Sequence, residues 1–360
     1  MKIPPLKIGN LVAKVPIIQG GMGIGVSLSG LAAAVANEGG IGVISGVQIG
    51  FREKDFKTNN SEANIRGLIK EIRNAKKLSP KGILGVNMLS AVNNYKDMVK
   101  TAVKEKIDII VSGAGLPKNL PELIKGSDTK IAPVVSSGKA AAIIAKIWDR
   151  KYKYVPDVVI VEGPLAGGHL GFSAEQLASS IKMPNLKDLV KEVIEAVKPF
   201  AEKYKKEIPV IAAGGIYSGR DMADFLKLGA AGVQMSTRFV ATKECDAHIN
   251  FKKAYISANE EDIQIIKSPV GMPGRAIRNA FVESIEKNRI KIKRCYNCLK
   301  TCDPATTPYC ISDALIGSVE GDVENGLVFV GTNAYRMHEI TTVKELINEL
   351  VSEAEKFLNK

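Results

Sequence analysis

His169 lies in "EGPLAGGHLGF", with Gly167 and Gly168 before it and Gly171 just after. Imidazole titrates near working pH, so a histidine on a glycine-rich loop suits proton donation or acceptance. The other two histidines, His248 and His338, lack such a setting and read as surface or packing residues. A second reactive group is "RCYNCLKTCDPATTPYC", which spaces Cys295, Cys298, Cys302 and Cys310 as C-x2-C-x3-C-x7-C. Four thiols this close suit a soft metal site, either a 4Fe-4S cluster or tetrahedral zinc, with four unligated thiols as the plain alternative.

Two glycine-rich stretches and one with paired hydroxyls point to a ligand rather than to a reaction. "QGGMGIG" (Gln19–Gly25) follows the apolar run "VPII". It is not a dinucleotide fingerprint, because G-x-G-x-x-G read from Gly21 ends on Val26 and read from Gly23 ends on Leu28. Gly21 and Gly23 instead let backbone and Met22 lie against a flat ring. "AAGGI", with Gly214 and Gly215, and "QMSTRF", with Gln234, Met235, Ser236 and Thr237, are of the kind that grips phosphate through backbone N–H groups and hydroxyls. Tight turns without a ligand are the alternative for either stretch alone. The two together favour a phosphate-bearing ligand.

These residues need a scaffold that brings them to one place. Eight short apolar runs alternate with helical patterns: Pro16–Gly20, Ile41–Ser45, Gly82–Met88, Ile107–Gly113, Lys130–Ser137, Asp157–Gly163, Ile208–Gly215 and Ala231–Thr237. Near-continuous apolar runs suit parallel strands covered on both faces. Eight strand–helix units in about 240 residues predict an α/β fold, a (β/α)8 TIM barrel. Each reactive stretch then falls at the carboxyl end of a strand, where barrel active sites lie, and the last two strands are those that commonly carry a phosphate. The predicted organisation is a barrel over 1–240, an inserted lobe with the four cysteines over 241–326, and a return over 327–360. The chain ends in an amphipathic helix that closes the barrel, with Thr341 or Thr342 as N-cap and Glu345 in its first turn.

Composition narrows the function classes. The chain has 360 residues, 45% apolar and 24% charged, which suits a globular fold. The net charge of +12 is spread along amphipathic segments, with no basic block, zinc-finger spacing or aromatic RNA motif, so nucleic acid is not an expected partner. An acidic partner such as an acyl carrier protein remains open. No apolar run is long enough to cross a bilayer and "MKIPPLKIGN" has no signal-peptide core, so the expectation is a cytoplasmic protein without membrane partners.

The combination "PIIQGGM", "GVNM", "EG…AGGHLGF", "PVIAAGGI" and "GVQMSTRF" resembles the nitronate monooxygenase family, which includes enoyl-acyl-carrier-protein reductase II. The likeness covers roughly residues 10–250 and "GTNAYR" near the end. It implies an FMN-dependent barrel enzyme. It places Gly21, Met22 and Gly23 near the isoalloxazine ring, Asn87 in a hydrogen bond to the flavin, and Gly167 close to the cofactor. His169 becomes the catalytic histidine, and Gly214, Gly215 and Gln234 to Thr237 hold the FMN phosphate. Glu162 stands where many nitronate monooxygenases have Gln and the enoyl reductases have Glu. Lys139 faces the flavin's N1–C2 carbonyl edge, or else is an ordinary first-turn lysine. Two positions depart from the pattern: Ser236 replaces a usual Gly, and Leu165 replaces a common acidic residue. The start of the cysteine motif resembles that of dienoyl-CoA-reductase-type flavin barrels, with a shorter last spacing.

Two activities follow from the resemblance. The first is oxidation of alkyl nitronates with O2. The alternative is NAD(P)H-dependent reduction of an enoyl thioester or a quinone, and a non-catalytic flavin sensor is a minor third. Expected partners are a small-molecule substrate, NAD(P)H, an acidic acyl carrier and a second copy of the chain as homodimer.

Overall fold

The computed structural model describes residues 2–179 and 181–359. Its centre is a closed barrel of eight parallel strands: β1 Ile17–Gln19, β2 Ile41–Ser45, β3 Ile83–Leu89, β4 Ile109–Gly113, β5 Lys130–Val135, β6 Val159–Glu162, β7 Val210–Ala213 and β8 Gly232–Met235. Each of the eight apolar runs becomes one of these strands, and the strands follow one another around the barrel in chain order. The ring closes where Gln234 of β8 pairs with Ile18 of β1.

Two apolar layers explain the strand composition. Ile18, Val43, Ile109, Val111, Ile160 and Ile211 fill the interior, while Ile17, Ile44, Val86, Ile110, Val159 and Val233 face the helices. A side chain reinforces one seam. The β1–β2 register covers only Ile18 with Ile41 and Gln19 with Gly42. The buried Gln19 carboxamide extends it, accepting from Val43 N–H at 3.0 Å and donating to Val43 O at 3.3 Å.

The N-terminal segment supplies a feature that the sequence pattern does not announce. Leu6–Ile8 and Leu11–Ala13 form an antiparallel hairpin. Leu6, Ile8 and Ala13 join the interior cluster, so the amino end of the barrel is plugged with apolar side chains.

The barrel helices are α1 Ser29–Asn37, α2 Asn60–Leu78, α3 Tyr95–Lys104, α4 Leu120–Leu123, α5 Gly138–Tyr152, α6 Leu186–Tyr204, α7 Gly219–Lys227 and α8 Val343–Leu358. Between β6 and α6 lies the extra short helix Ala174–Ala178. The last helix, α8, packs between α7 and α1 and closes the ring. Its start is a full capping box: Thr342 accepts from Glu345 N–H, and the Glu345 carboxylate accepts from Thr342 N–H at 2.9 Å. It buries Val343, Leu346, Ile347, Leu350 and Ala354. At about 1.5–3 kcal/mol for each large side chain, that burial outweighs the helix's intrinsic propensity.

Between β8 and α8 the chain forms helix Ile249–Ser257, hairpin Ile263–Lys267 with Pro273–Ile277, helix Ala280–Lys287 and helix Ile311–Val319. Phe251, Tyr255, Phe281 and Leu315 belong to the same buried cluster as the barrel's outer layer. This stretch therefore shares the barrel's core and has no separate one among the described residues. No helix there or elsewhere in the described chain is long and apolar enough to cross a membrane.

Candidate active site

A cavity of about 390 Å³ opens at the carboxyl ends of the strands. Strand alternation decides what reaches it. Residues whose side chains point inward near the strand ends are Ser45 on β2, Asn87 on β3, Glu162 on β6 and Gln234 on β8. Ser45 pairs with Asn87, and Ala213 pairs with both Glu162 and Gln234, so these polar groups form one layer above the apolar interior. None of the four side chains has a hydrogen-bond partner among the described residues, and the Ser45 hydroxyl is buried as well. Buried polar groups are normally paired. An unpaired layer facing a cavity is one that a ligand completes.

Glycine shapes the rest of this wall. A Cβ on Gly21 would lie 2.4 Å from Asn87 Cβ, and one on Gly23 would lie 2.7 Å from Ser45 Oγ. Any side chain there would fill the floor. Gly214 and Gly215 both have left-handed backbone, with φ of +91° and +90°. Such a pair points successive N–H groups toward one concavity, a geometry that binds anions. Ser236, at the start of the turn Thr237–Val240, uses its hydroxyl on no backbone N–H there.

The cavity brings together Gly21, Met22, Gly23, Asn87, Glu162, Gly167, His169, Gly214, Gly215 and Gln234 to Thr237. Met235 contributes backbone, because its side chain is buried in the outer layer. Lys139 is not brought in. It lies exposed in the first turn of α5 while its neighbours Ser136 and Ala140 line the cavity. One residue along a helix is a turn of about 100°, enough to direct its side chain to solvent.

The cysteines also depart from expectation. Among the described residues, no three of His, Cys, Asp or Glu come together as a metal-binding group. All four thiols are free. The local structure uses them in different ways. Cys295 Sγ accepts from Asn297 N–H, Cys298 Sγ accepts from Ser312 Oγ at 3.3 Å, and Cys310 is the N-cap position of helix Ile311–Val319. Burial pushes the Cys298, Cys302 and Cys310 thiols up, that of Cys310 to about 12. The expected four-thiolate centre is not assembled.

His169 is positioned from outside the barrel. Gly168–His169 form a two-residue strand on the hairpin Pro273–Ile277, with His169 opposite Gly274 and Gly168 opposite Arg275. His169 Nε2 is 2.7 Å from Ser268 Oγ, and its ring meets Phe329 edge-on with centroids 4.9 Å apart. Val270 N–H donates to Ser268 Oγ at 3.3 Å. That occupies one lone pair and leaves the hydroxyl both a proton and a second lone pair, so the contact with Nε2 suits either imidazole tautomer. Buried Arg275 holds the loop before His169, donating from Nη1 to Pro164 O at 2.8 Å and to Ala166 O. Thr332 and Asn333 tie the neighbouring loops, to Leu165 O at 3.0 Å and Gly215 O at 2.8 Å. Sequence reading missed Ser268, Arg275, Phe329 and Thr332. Their roles depend on pairing across 99 or more positions, and only "GTNAYR" carried a local signal.

Burial sets the charge states. Desolvation holds His169 down at about 4, so the ring is neutral at neutral pH. It pushes the Glu162 carboxyl up to about 7. Glu162 retains some accessible area, but that area faces the cavity rather than bulk water. No lysine or arginine lines the cavity among the described residues. Much of the remaining lining is apolar, with Leu116, Val270, Met272, Leu299, Ile311 and Leu315.

Residues 5–353 match the family model described as nitronate monooxygenase. A Rhodococcus jostii (strain RHA1) protein named (3aS,4S,5R,7aS)-5-hydroxy-7a-methyl-1-oxo-octahydro-1H-indene-4-carboxyl-CoA dehydrogenase is 26% identical, across 94% of this chain and 92% of its own length. A Staphylococcus aureus (strain Newman) protein named "Probable nitronate monooxygenase" is 28% identical, across 76% of this chain and 78% of its own length. The solved structure of FabK from Thermotoga maritima superposes with a TM-score of 0.72 at 30% identity, covering 96% of this chain and 94% of that one.

Proposed function

The chain belongs to the nitronate monooxygenase family of flavin oxidoreductases, and on that premise we propose that it is an FMN-dependent enzyme that reduces an α,β-unsaturated acyl thioester with NAD(P)H. The observation that carries this reading is the charge of the cavity: much of its lining apolar, no cation in it, and one carboxyl. An alkyl nitronate is an anion, and burying it beside Glu162 without a counter-charge is costly. A thioester is neutral and has an apolar tail that suits Val270, Met272 and Leu315. The near-full-length likeness to a carboxyl-CoA dehydrogenase supports the same class.

The residues present fit the flavin that the family implies. The side-chain-free floor at Gly21 and Gly23 suits a flat ring. Ser45, Asn87, Glu162 and Gln234 would meet its polar edges, and the Gly214–Gly215 backbone with the Ser236 and Thr237 hydroxyls would hold the phosphate. When bound, FMN supplies the two-electron chemistry between NAD(P)H and the substrate double bond. With Ser268 donating to Nε2, neutral His169 carries its proton on Nδ1, hydrogen-bonds the thioester carbonyl oxygen and draws electron density from the double bond. Ser268 keeps the ring in that tautomer. Phe329 and the apolar wall exclude water, which strengthens that hydrogen bond.

The family description and the Staphylococcus aureus relatives favour a second reading, oxidation of alkyl nitronates with O2. Anaerobic mixing separates the two. The thioester reading expects NAD(P)H to bleach the flavin absorbance and an enoyl thioester to restore it. Bleaching by a nitronate alone, with no response to NAD(P)H, would establish the second reading instead. A sensor without turnover would leave every such assay unchanged in His169→Ala.

A further inference from the structure

A second cleft, of about 500 Å³, adjoins the first. Val47, Gln48, Leu89, Val92 and Cys298 line both, so the two spaces share a wall. Their chemistry differs sharply. The second cleft is rich in carboxamides, from Asn59, Asn60, Asn93, Asn94 and Asn297, and Lys57 stands on its lining. The shared wall is a fixed structure. Gln48 Oε1 accepts from Asn60 at 2.9 Å and Asn64 at 2.8 Å, while Gln48 Nε2 donates to Ser312 Oγ at 3.2 Å. Asn93 binds Asn297 O at 2.7 Å and Oδ1 at 2.9 Å, pinning the far side. The carboxamide of Asn94, at the N-cap position of α3, caps no backbone N–H and has no partner among the described residues.

We propose that this cleft binds the phosphopantetheine arm that carries the acyl group. The proposal rests on the thioester reading above and names the subsite for the part of the substrate outside the apolar wall. A pantetheine arm is a chain of amides and a hydroxyl, each with a donor and an acceptor. A side-chain carboxamide is the neutral group that satisfies both, and that of Asn94 is free to do so while its neighbours are held by the protein. The acyl end then enters the apolar cavity past Leu89 and Val92, which puts the thioester at the junction of the two spaces. Lys57 faces the phosphate end, although Asp97 also lines the cleft and limits how much negative charge it takes. The same arm occurs in coenzyme A and on acyl carrier proteins.

The test compares one trans-2-enoyl group on three carriers: coenzyme A, a phosphopantetheinylated carrier protein, and N-acetylcysteamine, which keeps only the amide nearest the sulfur. FMN-loaded protein should show higher kcat/KM for the two long carriers than for the short one, and the better of the two identifies the source. Asn94→Leu should lower kcat/KM for the long carriers about tenfold and leave N-acetylcysteamine turnover and the KM for NAD(P)H unchanged. Asn94→Asp, of the same size, checks that the loss follows the carboxamide rather than the fold. Equal turnover of all three carriers by the native chain overturns the subsite while the thioester reading stands. So does a rise in the KM for NAD(P)H in Asn94→Leu, which would assign the cleft to the nucleotide. Turnover of none of the three overturns both.

Discussion

On the strand side, the cavity is walled by backbone and by polar groups that find no partner in the protein: Ser45, Asn87, Glu162 and Gln234 above glycine floors. On the opposite side, residues 263–330 wall it with apolar side chains and with partners already engaged, Ser268 on His169 and Arg275 on the loop that precedes it. The first wall is incomplete without a ligand. The second is complete without one and holds His169 in place. On the proposed reading the first wall holds the flavin and the second holds His169, and substitutions should separate the two.

The largest effect should come from the histidine itself. His169→Ala should lower kcat by about a hundredfold or more, in the range for losing a positioned acid–base or polarising group, while flavin content stays at one per chain. Loss of flavin together with activity would break the division between the two walls. The converse test is Gly214→Val, which forces an L residue into left-handed backbone and sets a Cβ about 2.9 Å from Gly163 O. FMN affinity should fall about thirtyfold by fluorescence titration. At saturating FMN, kcat should recover.

Glu162→Gln probes the incomplete wall through pH. The Glu162 carboxyl titrates at about 7 when folded against an ordinary 4.5, so the folded protein binds this proton more tightly than the unfolded chain. Stability is then full below about pH 4.5 and falls as pH rises through 7. In flavin-free protein the substitution should raise stability at pH 8 by on the order of 2 kcal/mol and change little at pH 4.5, read from urea midpoints. Ser268→Ala sharpens the other side. It should lower kcat about fivefold, consistent with one hydrogen bond, and move the histidine's nitrogen NMR shifts toward a mixture of tautomers. A purely structural role would leave those shifts alone. Lys139→Ala should change kcat and flavin affinity less than about twofold, since the side chain points to solvent.

The strand wall was legible because its signals are local. Each apolar run became a strand, and the polar residue types of the site stand at the carboxyl ends of those runs. The opposite wall was not. "IQIIKSPVGMPGRAI" is a hairpin whose meaning lies in its partner, Gly168–His169, and no period or spacing in the sequence links them. Lys139 misled because one helical position separates a lining residue from an exposed one. The cysteine spacing brings Cys298 within electrostatic reach of the other three thiols, yet among the described residues no group of three metal-holding side chains forms. Cys310 belongs to the start of a helix, and Cys298 to a hydrogen bond with that helix's Ser312.

The short strand at Gly168–His169 has a consequence for synthesis. When β8 has been made, all eight barrel strands and the glycine floor are in the chain, yet the hairpin that seats His169 lies 28 or more residues further on. His169 therefore has no strand to pair with until residues 273–277 have been made.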